Sequence, residues 1–228
     1  MSKKQLLKKE KPMKGSRLWG VLIFLLLILI DQITKLVADV YFVEYLGDAN
    51  ASGRIAIIPG VIELCMEYNR GIAFSSFADA GMPAKIAIVA GTGVLMALFA
   101  AFYFKLDKRR TFLRLALVFV VAGGIGNLID RVYYQVWDPS TEAIIRDGVR
   151  DMVYLNIVFD FGVCNFADFF IVGGAIALVL ALLFFDTDAL IPLTKKYKAL
   201  AKEAQEKSAE KKAKKQDEKQ AGQSGENG

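Results

Sequence analysis

Four long apolar segments constrain what this 228-residue chain can fold into. They are Leu18–Ile30 with a continuation to about Val43, Ile86–Phe104, Thr111–Ile129 and Phe161–Phe185. A helix needs roughly 20 apolar residues to cross a hydrocarbon core about 30 Å thick, and each segment approaches that length. Four such segments in so short a chain favour a membrane protein over a soluble globule with buried core helices.

The positive charges give these segments an orientation. Residues 1–17, residues 105–114 and the tail after Phe185 together carry 22 of the 29 lysines and arginines. Basic residues collect on the cytoplasmic side of membrane proteins, and four spans return the chain to the side where it began. Both termini are therefore expected in the cytoplasm. The first segment lacks a small-x-small cleavage site, so it is interpreted as an uncleaved helix rather than a signal peptide.

The expected fold class is a membrane all-α protein with a small β element. Apolar and polar residues alternate through Ile62–Tyr68 after the turn residues Pro59-Gly60, which predicts strands of a small extracytoplasmic sheet. The expected organisation comprises a basic cytoplasmic N-terminus at 1–17, a membrane domain at 18–185, and a lysine-rich, partly disordered cytoplasmic tail at 186–228. Within the membrane domain we expect helices at about 18–43, 83–104, 111–131 and 166–185, an outer β segment at 53–74 and an outer loop at 132–160.

The composition narrows the available chemistry. The chain has no histidine, which excludes Ser-His-Asp and Cys-His nucleophiles and a histidine-ligated metal. Its two cysteines, Cys65 and Cys164, are too few for a disulfide framework or a four-thiolate zinc site. Carboxylates are left as the acid and the base, and we expect neither a metal nor another cofactor. The lysine-rich tail is expected to lie near anionic headgroups rather than to bind nucleic acid.

Polar side chains from distant parts of the sequence are predicted to meet at one depth, near the non-cytoplasmic ends of the helices. The helices contribute Asp31, Lys35, Asn127, Asp130, Arg131, Asn165 and Asp168, and the outer segments contribute Asn69-Arg70-Gly71 and Asp151. An ionisable group in a membrane segment is costly and indicates function. Asp31 and Lys35, four residues apart, are nevertheless interpreted as a structural ion pair. A structural role, as a pair or as groups that bind the backbone, is also favoured for Asp130 and Arg131.

Asp168 differs from these because it is the only charged residue in its apolar segment. It is therefore a candidate general acid or base. Two aspartates that share one proton can activate water for hydrolysis of a peptide bond without a cofactor. Residue chemistry alone leaves the second aspartate open among Asp130, Asp151 and Asp160.

Five motifs occur in the order found in the lipoprotein signal peptidase (signal peptidase II) family, and the resemblance covers roughly residues 17–185. They are Asp31-Gln32-Ile33-Thr34-Lys35, Asn69-Arg70-Gly71-Ile72-Ala73-Phe74-Ser75, Gly123-Gly124-Ile125-Gly126-Asn127-Leu128-Ile129-Asp130-Arg131, Val149-Arg150-Asp151-Met152 and Cys164-Asn165-Phe166-Ala167-Asp168. Any one motif is weak, whereas five in order on four spans of the right polarity are highly specific.

The resemblance implies a bacterial inner-membrane aspartic endopeptidase with its active site near the periplasmic face. Such an enzyme removes the signal peptide from diacylglyceryl-modified prolipoproteins by cutting just before the lipid-modified cysteine. The implied catalytic pair is Asp151 and Asp168. The positions that match site-supporting residues are Asp31, Lys35, Asn69, Gly71, Asn127, Asp130, Arg131, Asn165 and Ala167. The expected partners are these prolipoproteins and membrane lipids, and the expected state is a monomer that binds no nucleic acid.

Asp160 stays open as an alternative to Asp151. The family often has a Val-Val-Asp-Phe-like run at the first catalytic position, and Val158-Phe159-Asp160-Phe161 resembles it more closely than Val149-Arg150-Asp151-Met152 does. Asp151 is preferred because its 17-residue separation from Asp168 suits the family, whereas the eight residues from Asp160 are too few.

Two further expectations concern the outer segments. Gly53–Phe74 is expected to cradle the peptide, and the loop that bears Trp137 is expected to cover it.

Two other functions compete with that of a peptidase. A small transporter or channel would spread its carboxylates through the membrane depth, which the clustering at one end disfavours. A non-catalytic membrane scaffold would tolerate Asp168→Asn.

Overall fold

The computed structural model of the chain describes residues 16–46, 53–71, 81–106, 110–134, 147–157 and 160–185, together with residues 199, 202 and 206. The helices are α1 (Ser16–Asp39), α2 (Met82–Lys105), α3 (Thr111–Tyr134) and α4 (Phe166–Leu180). Single π-helical turns, Val40–Tyr45 and Ala181–Phe185, extend α1 and α4. Within the part of the chain that the structure describes, four helices are long and apolar enough to cross a membrane, and the predicted four-helix fold with a small sheet is confirmed.

Several expectations fall outside the described residues. They concern the first 15 residues of the basic N-terminus, almost all of the lysine-rich tail, and the proposed cover at Trp137. The domain boundaries drawn at the two ends of the chain stay predictions for the same reason.

Helix α3 is the centre of the bundle and packs against the other three helices. Its contact with α4 is close because glycines replace side chains where the two helices cross. A Cβ on Gly123 would lie 2.3 Å from the Ala167 carbonyl oxygen, and one on Gly174 would lie 2.8 Å from the Val120 backbone nitrogen. Small residues allow this approach in membrane bundles. Gly173, by contrast, faces open space.

The outward faces of α1 and α4 carry large apolar side chains. Leu25, Leu26 and Leu29 of α1 and Val172 and Ile176 of α4 are each more than half exposed. An apolar surface of this extent is unfavourable in water and favourable against lipid tails. The exposed side chains therefore agree with the membrane assignment from the sequence.

The sheet contains four antiparallel strands in chain order: β1 (Ile55–Ile58), β2 (Ile62–Asn69), β3 (Val149–Asn156) and β4 (Asp160–Cys164). Strands β1 and β2 fall within the outer β segment expected from the sequence. The expected outer loop 132–160 is not a single loop, because it contains the last turn of α3, all of β3 and the first residue of β4. Similarly, the first four residues of the apolar segment Phe161–Phe185 belong to β4 rather than to a helix.

A β-bulge interrupts the alternation expected in β2. Leu64 pairs with Val153 and Glu67 pairs with Asp151, so Cys65 and Met66 together lie opposite the single residue Met152. A bulge of this kind turns two consecutive side chains toward the same side. Cys65 and Met66 are consequently both fully buried.

The bulge attaches the sheet to the helices. Met66 packs with Met152 and with Phe42 from the π-helical turn that follows α1. This small apolar cluster anchors β2 and β3 beside the end of α1, and β3 also contacts α3. The first half of β3 is thereby held against the same ends of the helices that carry the predicted polar cluster.

Candidate active site

The polar cluster begins on α1 with a buried ammonium group. Lys35 has no exposed surface, and its Nζ lies 2.9 Å from Asp31 Oδ2, 3.2 Å from Asp130 Oδ2 and 2.9 Å from Asn127 Oδ1. Three partners use the full donor capacity of an ammonium group. The ion pair expected between Asp31 and Lys35 forms, and Lys35 also joins α1 to two residues of α3.

Asn127 connects Lys35 to the start of α4. Its Oδ1 accepts from Lys35 Nζ and, at 3.1 Å, from Asn165 Nδ2, while its own Nδ2 donates to Asp168 Oδ1 at 2.8 Å. Because the amide oxygen faces two donors, the amide nitrogen is directed at the Asp168 carboxylate. The orientation of Asn127 therefore follows from the lysine.

Asn165 connects the two aspartates singled out from the sequence. It is the N-cap of α4 and forms a capping box with Asp168, in which Asn165 Oδ1 accepts from the Asp168 backbone N–H and Asp168 Oδ2 accepts from the Asn165 backbone N–H at 3.0 Å. The Asn165 Nδ2 donates to Asp151 Oδ1 at 2.6 Å. Asp168, isolated in the sequence, thus has Asp151 as a spatial neighbour.

Asp151 lies on β3 and is almost completely buried. Its Oδ2 accepts from Asn69 Nδ2 at 3.1 Å, so amides from β2 and α4 hold its two oxygens. Burial and the negative charge of Asp168 raise the pKa of Asp151 to about 8, against the opposing effect of the two amide donors. The raised pKa favours the retention of a proton near neutral pH where Asp151 lies beside a second carboxyl group.

The other two candidate aspartates are placed differently. Asp130 is fully buried, but its oxygens are engaged by Lys35 and by the Arg150 guanidinium, whose Nη2 lies 2.7 Å from Asp130 Oδ1. Asp160 is exposed at the start of β4, accepts from the Gly162 N–H and pairs with Asn156. Asn156 is five positions after Asp151 in β3, so Asp160 lies about 16 Å from Asp151 along the sheet.

The remaining predicted site residues also join the network. The Ala167 N–H donates to Asp31 Oδ1 at 2.9 Å, and the Gly71 N–H donates to Asn69 Oδ1 at 3.0 Å. Arg131 donates to the Gly71 carbonyl oxygen at 2.9 Å, so it binds the backbone. All eleven predicted site residues are therefore brought together, by α1, β2, α3, β3 and the start of α4.

Sequence reasoning missed two members of the network. Gln32 donates to Asp31 Oδ2 at 3.0 Å and to the Gly126 carbonyl oxygen at 3.2 Å. Arg150 donates to Asp130 and to Gln32 Oε1, and the hydrogen bond to Asp130 raises its pKa despite the opposing effect of burial. Both lie inside the quoted motifs, next to Asp31 and Asp151, and adjacency to a candidate residue was the signal available.

The two cysteines of the sheet are poor candidates for a nucleophile. Burial raises the pKa of the Cys65 thiol to about 11 and that of Cys164 to about 12, so neither is an active nucleophile at neutral pH. Within the described ranges, no three His, Cys, Asp or Glu side chains are grouped so that they could hold a metal ion. The cluster does contain two neighbouring carboxyl groups, Asp151 and Asp168, each held by amide donors.

Comparison with known proteins gives a consistent result. The model of the family described as signal peptidase (SPase) II matches residues 23–184. The lipoprotein signal peptidase of Fusobacterium nucleatum is 30% identical over 174 residues, which cover 75% of this chain and 90% of that protein. The lipoprotein signal peptidase of Clostridioides difficile is 32% identical over 168 residues, which cover 73% of this chain and 96% of that protein.

Solved structures agree on the fold. A bacterial membrane enzyme determined by the in meso method at 2.3 Å resolution superposes with a TM-score of 0.57 at 24% identity, covering 72% of this chain and 87% of that one. A second bacterial membrane enzyme, determined at 1.9 Å resolution, gives a TM-score of 0.53 at 23% identity, covering 72% and 92%.

Proposed function

This chain belongs to the signal peptidase II family, and we propose that Asp151 and Asp168 are the catalytic pair with which it cleaves the signal peptide from diacylglyceryl-modified prolipoproteins. Family membership makes it a bacterial membrane peptidase with several spans. The observation that carries the aspartic mechanism is the bridging by Asn165. Its side chain donates to Asp151 and its backbone N–H donates to Asp168, so both carboxyl groups lie within one residue's reach.

The proposed reaction is general acid–base hydrolysis. The ionised carboxylate accepts a proton from a water molecule, which attacks the scissile carbonyl carbon. The protonated partner donates a hydrogen bond to the carbonyl oxygen, and a proton then passes to the leaving amine. The raised pKa of Asp151, which results from burial and from the charge of Asp168, supports a pair that holds one proton at neutral pH.

The surrounding residues have supporting roles in this proposal. Asn69, Asn127 and Asn165 hold the carboxyl oxygens by donated hydrogen bonds, which fixes the orientation of both acids. Asp31, Lys35 and Asp130 form a charged network, and its hydrogen bond from Lys35 keeps Asn127 in its orientation. Arg131 and Gly71, joined by a hydrogen bond, fix the segment that follows Asn69. Ala167 ties the start of α4 to Asp31.

The substrate and its approach follow from the position of the site. The relatives are lipoprotein signal peptidases, and we propose that this chain cuts immediately before the lipid-modified cysteine. The positive-inside rule assigns the ends of the spans that carry the site to the periplasmic side. A lipidated substrate then reaches it laterally, with its acyl chains in the outer leaflet. We further propose that the segment Gly53–Phe74, which includes β1 and β2, cradles the peptide and that the enzyme works as a monomer among membrane lipids.

The decisive experiment compares three substitutions in purified protein. Wild type, Asp151→Asn, Asp168→Asn and Asp160→Asn are incubated with a synthetic diacylglyceryl prolipoprotein peptide, and the products are identified by mass. We expect Asp151→Asn and Asp168→Asn to fold and to lose cleavage. Asp160→Asn is the matched control, an exposed aspartate of the same sheet, and should keep substantial activity. The mass of the lipid-bearing product tests the proposed cleavage position.

Two outcomes would change the proposal. Cleavage retained by Asp151→Asn or by Asp168→Asn would remove that residue from the pair, and retention by both would favour a mechanism without the two aspartates. A folded but inactive Asp160→Asn variant would return Asp160 to consideration as the partner of Asp168.

A further inference from the structure

Arg150 is a buried arginine that immediately precedes Asp151 on β3 and is only 3% exposed. Its Nη2 lies 2.7 Å from Asp130 Oδ1, and its Nε lies 3.4 Å from Asp130 Oδ2. The same Asp130 Oδ2 accepts from the Arg150 backbone N–H at 3.0 Å. One carboxylate on α3 thus binds both the side chain and the backbone of a single residue of β3.

The guanidinium group of Arg150 also contacts two more groups. Its Nη2 also donates to Gln32 Oε1 on α1 at 3.0 Å, and its central carbon lies 4.4 Å from the centroid of the Tyr134 ring at the end of α3. The planar guanidinium suits this arrangement, because it can bind a carboxylate and an amide in its plane while an aromatic ring covers its face. Arg150 therefore connects β3 to both α1 and α3.

The cost of burying this cation is offset within the same network. Asp31 and Asp130 supply two negative charges, and Lys35 and Arg150 supply two positive charges, all from buried side chains. Buried charges are tolerated when each is paired and hydrogen-bonded. Lys35 already pairs with both carboxylates, so Arg150 adds a second cation and extends the network to the strand.

The location of the attachment gives it a consequence for Asp151. Consecutive Cα atoms are about 3.8 Å apart, so a residue held at 150 restrains the backbone of residue 151 directly. The Asp151 carboxyl must meet Asn165 at 2.6 Å and Asn69 at 3.1 Å, and these two donors lie on different elements. A small movement of β3 away from the helix ends would lengthen the hydrogen bond from Asn165.

We propose that Arg150 is a positioning residue, which clamps β3 to the ends of α1 and α3 and thereby holds the Asp151 carboxyl opposite Asp168. The inference rests on the proposed function, since it assumes that Asp151 reacts. Arg150 itself touches neither the water nor the substrate, and it acts through the backbone of its neighbour.

The test compares steady-state cleavage of a diacylglyceryl prolipoprotein peptide by Arg150→Gln, Arg150→Lys and wild type in the same micelles. A misplacement near 1 Å at a reacting group costs on the order of 10²-fold in rate, so we expect Arg150→Gln to lose about that much kcat while KM changes little. Arg150→Lys should keep an intermediate kcat, because an ammonium can pair with Asp130 but cannot also hold Gln32 and stack on Tyr134.

Two controls separate positioning from general stability. Arg114 is also a buried arginine whose guanidinium carbon lies over a tyrosine ring, 4.5 Å from the centroid of Tyr103, but it lies in the first turn of α3, at the opposite end of that helix from Asp130. Arg114→Gln should therefore leave kcat unchanged. Gly174→Ala loosens the α3–α4 contact away from the site. Gly174→Ala should lower stability without a comparable loss of kcat. If Arg150 acted only through stability, Arg150→Gln would lose no more kcat than Gly174→Ala does at equal stability.

The outcomes are distinct for the two proposals. A kcat for Arg150→Gln equal to that of Arg114→Gln, or a loss matched by Gly174→Ala at equal stability, would overturn the positioning role. If Arg150→Gln does not fold, Gln32→Met takes its place, which removes the contact of α1 with Arg150 together with the Gln32 hydrogen bonds to Asp31 and Gly126. An unchanged kcat in both Gln32→Met and Arg150→Lys would then be the contrary result. Asp151→Asn in the same assay tests the catalytic proposal separately, because its activity does not depend on what Arg150 does.

Discussion

Replacing Lys35 by methionine is expected to destabilise the bundle more than removing an exposed charge such as that of Arg54. Methionine keeps the length and apolar stem of lysine and deletes only the ammonium group. That group has three partners within 3.2 Å, and the side chains of Lys35, Asp31 and Asp130 have no exposed surface. Because none of these three side chains is exposed, bulk water does not replace the lost contacts.

The size of the effect follows from what is left behind. Asp130 keeps Arg150, and Asp31 keeps the Ala167 N–H and the Gln32 amide but loses its cation. The network then carries one uncompensated negative charge. Removing one partner of a buried ion pair typically costs 3–5 kcal/mol, so we expect Lys35→Met to lose about 3–5 kcal/mol of unfolding free energy.

The assay is reversible unfolding in mixed micelles by titration with sodium dodecyl sulfate. Lys35→Met is compared with Arg54→Met, which removes a solvent-exposed ion pair worth about 0–1 kcal/mol. The double variant Lys35→Met/Asp31→Asn restores the charge balance and should be more stable than Lys35→Met alone. The reasoning fails if Lys35→Met is no less stable than Arg54→Met, or if adding Asp31→Asn gives no recovery.

Three further predictions concern the pH dependence, the helix contact and the thiols. The pKa of Asp151 is raised from 3.8 to about 8 by burial and by Asp168, so between these values the folded protein holds a proton that the unfolded chain has lost. Stability therefore falls as the pH rises through this window. Asp151→Asn should show a smaller difference between the unfolding free energies at pH 5 and pH 8, and an equal or larger difference would contradict this. Gly174→Ala should destabilise the protein by about 1–3 kcal/mol through overpacking against Val120, whereas Gly173→Ala, in open space, should be neutral or slightly stabilising in the same titration. Cys65 and Cys164, with pKa values raised to about 11 and about 12, should react slowly with a maleimide at pH 8 until the protein is unfolded, and rapid alkylation of the native protein would count against their burial.

Long-range neighbours explain what sequence reasoning missed. The alternation in Ile62–Tyr68 identified a strand, but the bulge at Cys65 and Met66 arises from pairing with β3, about 90 residues away in the chain. Phe161–Cys164 is apolar enough to be included in a membrane segment, yet it forms β4 because β3 offers an edge for pairing and because the capping box at Asn165 starts α4 there.

The same reason applies within the site. Gln32 and Arg150 carry no local pattern that marks them, because their role depends on Asp130, which α3 supplies from 98 and 20 residues away. Asp130, Asp151 and Asp160 were equivalent candidates by residue type. Their surroundings differ only after folding, when Asp130 faces two cations, Asp160 faces solvent, and Asp151 shares Asn165 with Asp168.

The amino-acid sequence alone was sufficient to predict the four spans and the set of polar residues at one end of the helices. It also gives the positions of the basic regions along the chain. These properties depend on apolar length and on charge along the chain, which are local quantities and need no knowledge of contacts. The pairing of the residues required the folded chain. A hydrogen bond such as that from Asn165 to Asp151 depends on how α4 docks against β3, and docking depends on side chains such as Met66, Gly123 and Arg150 from every part of the molecule.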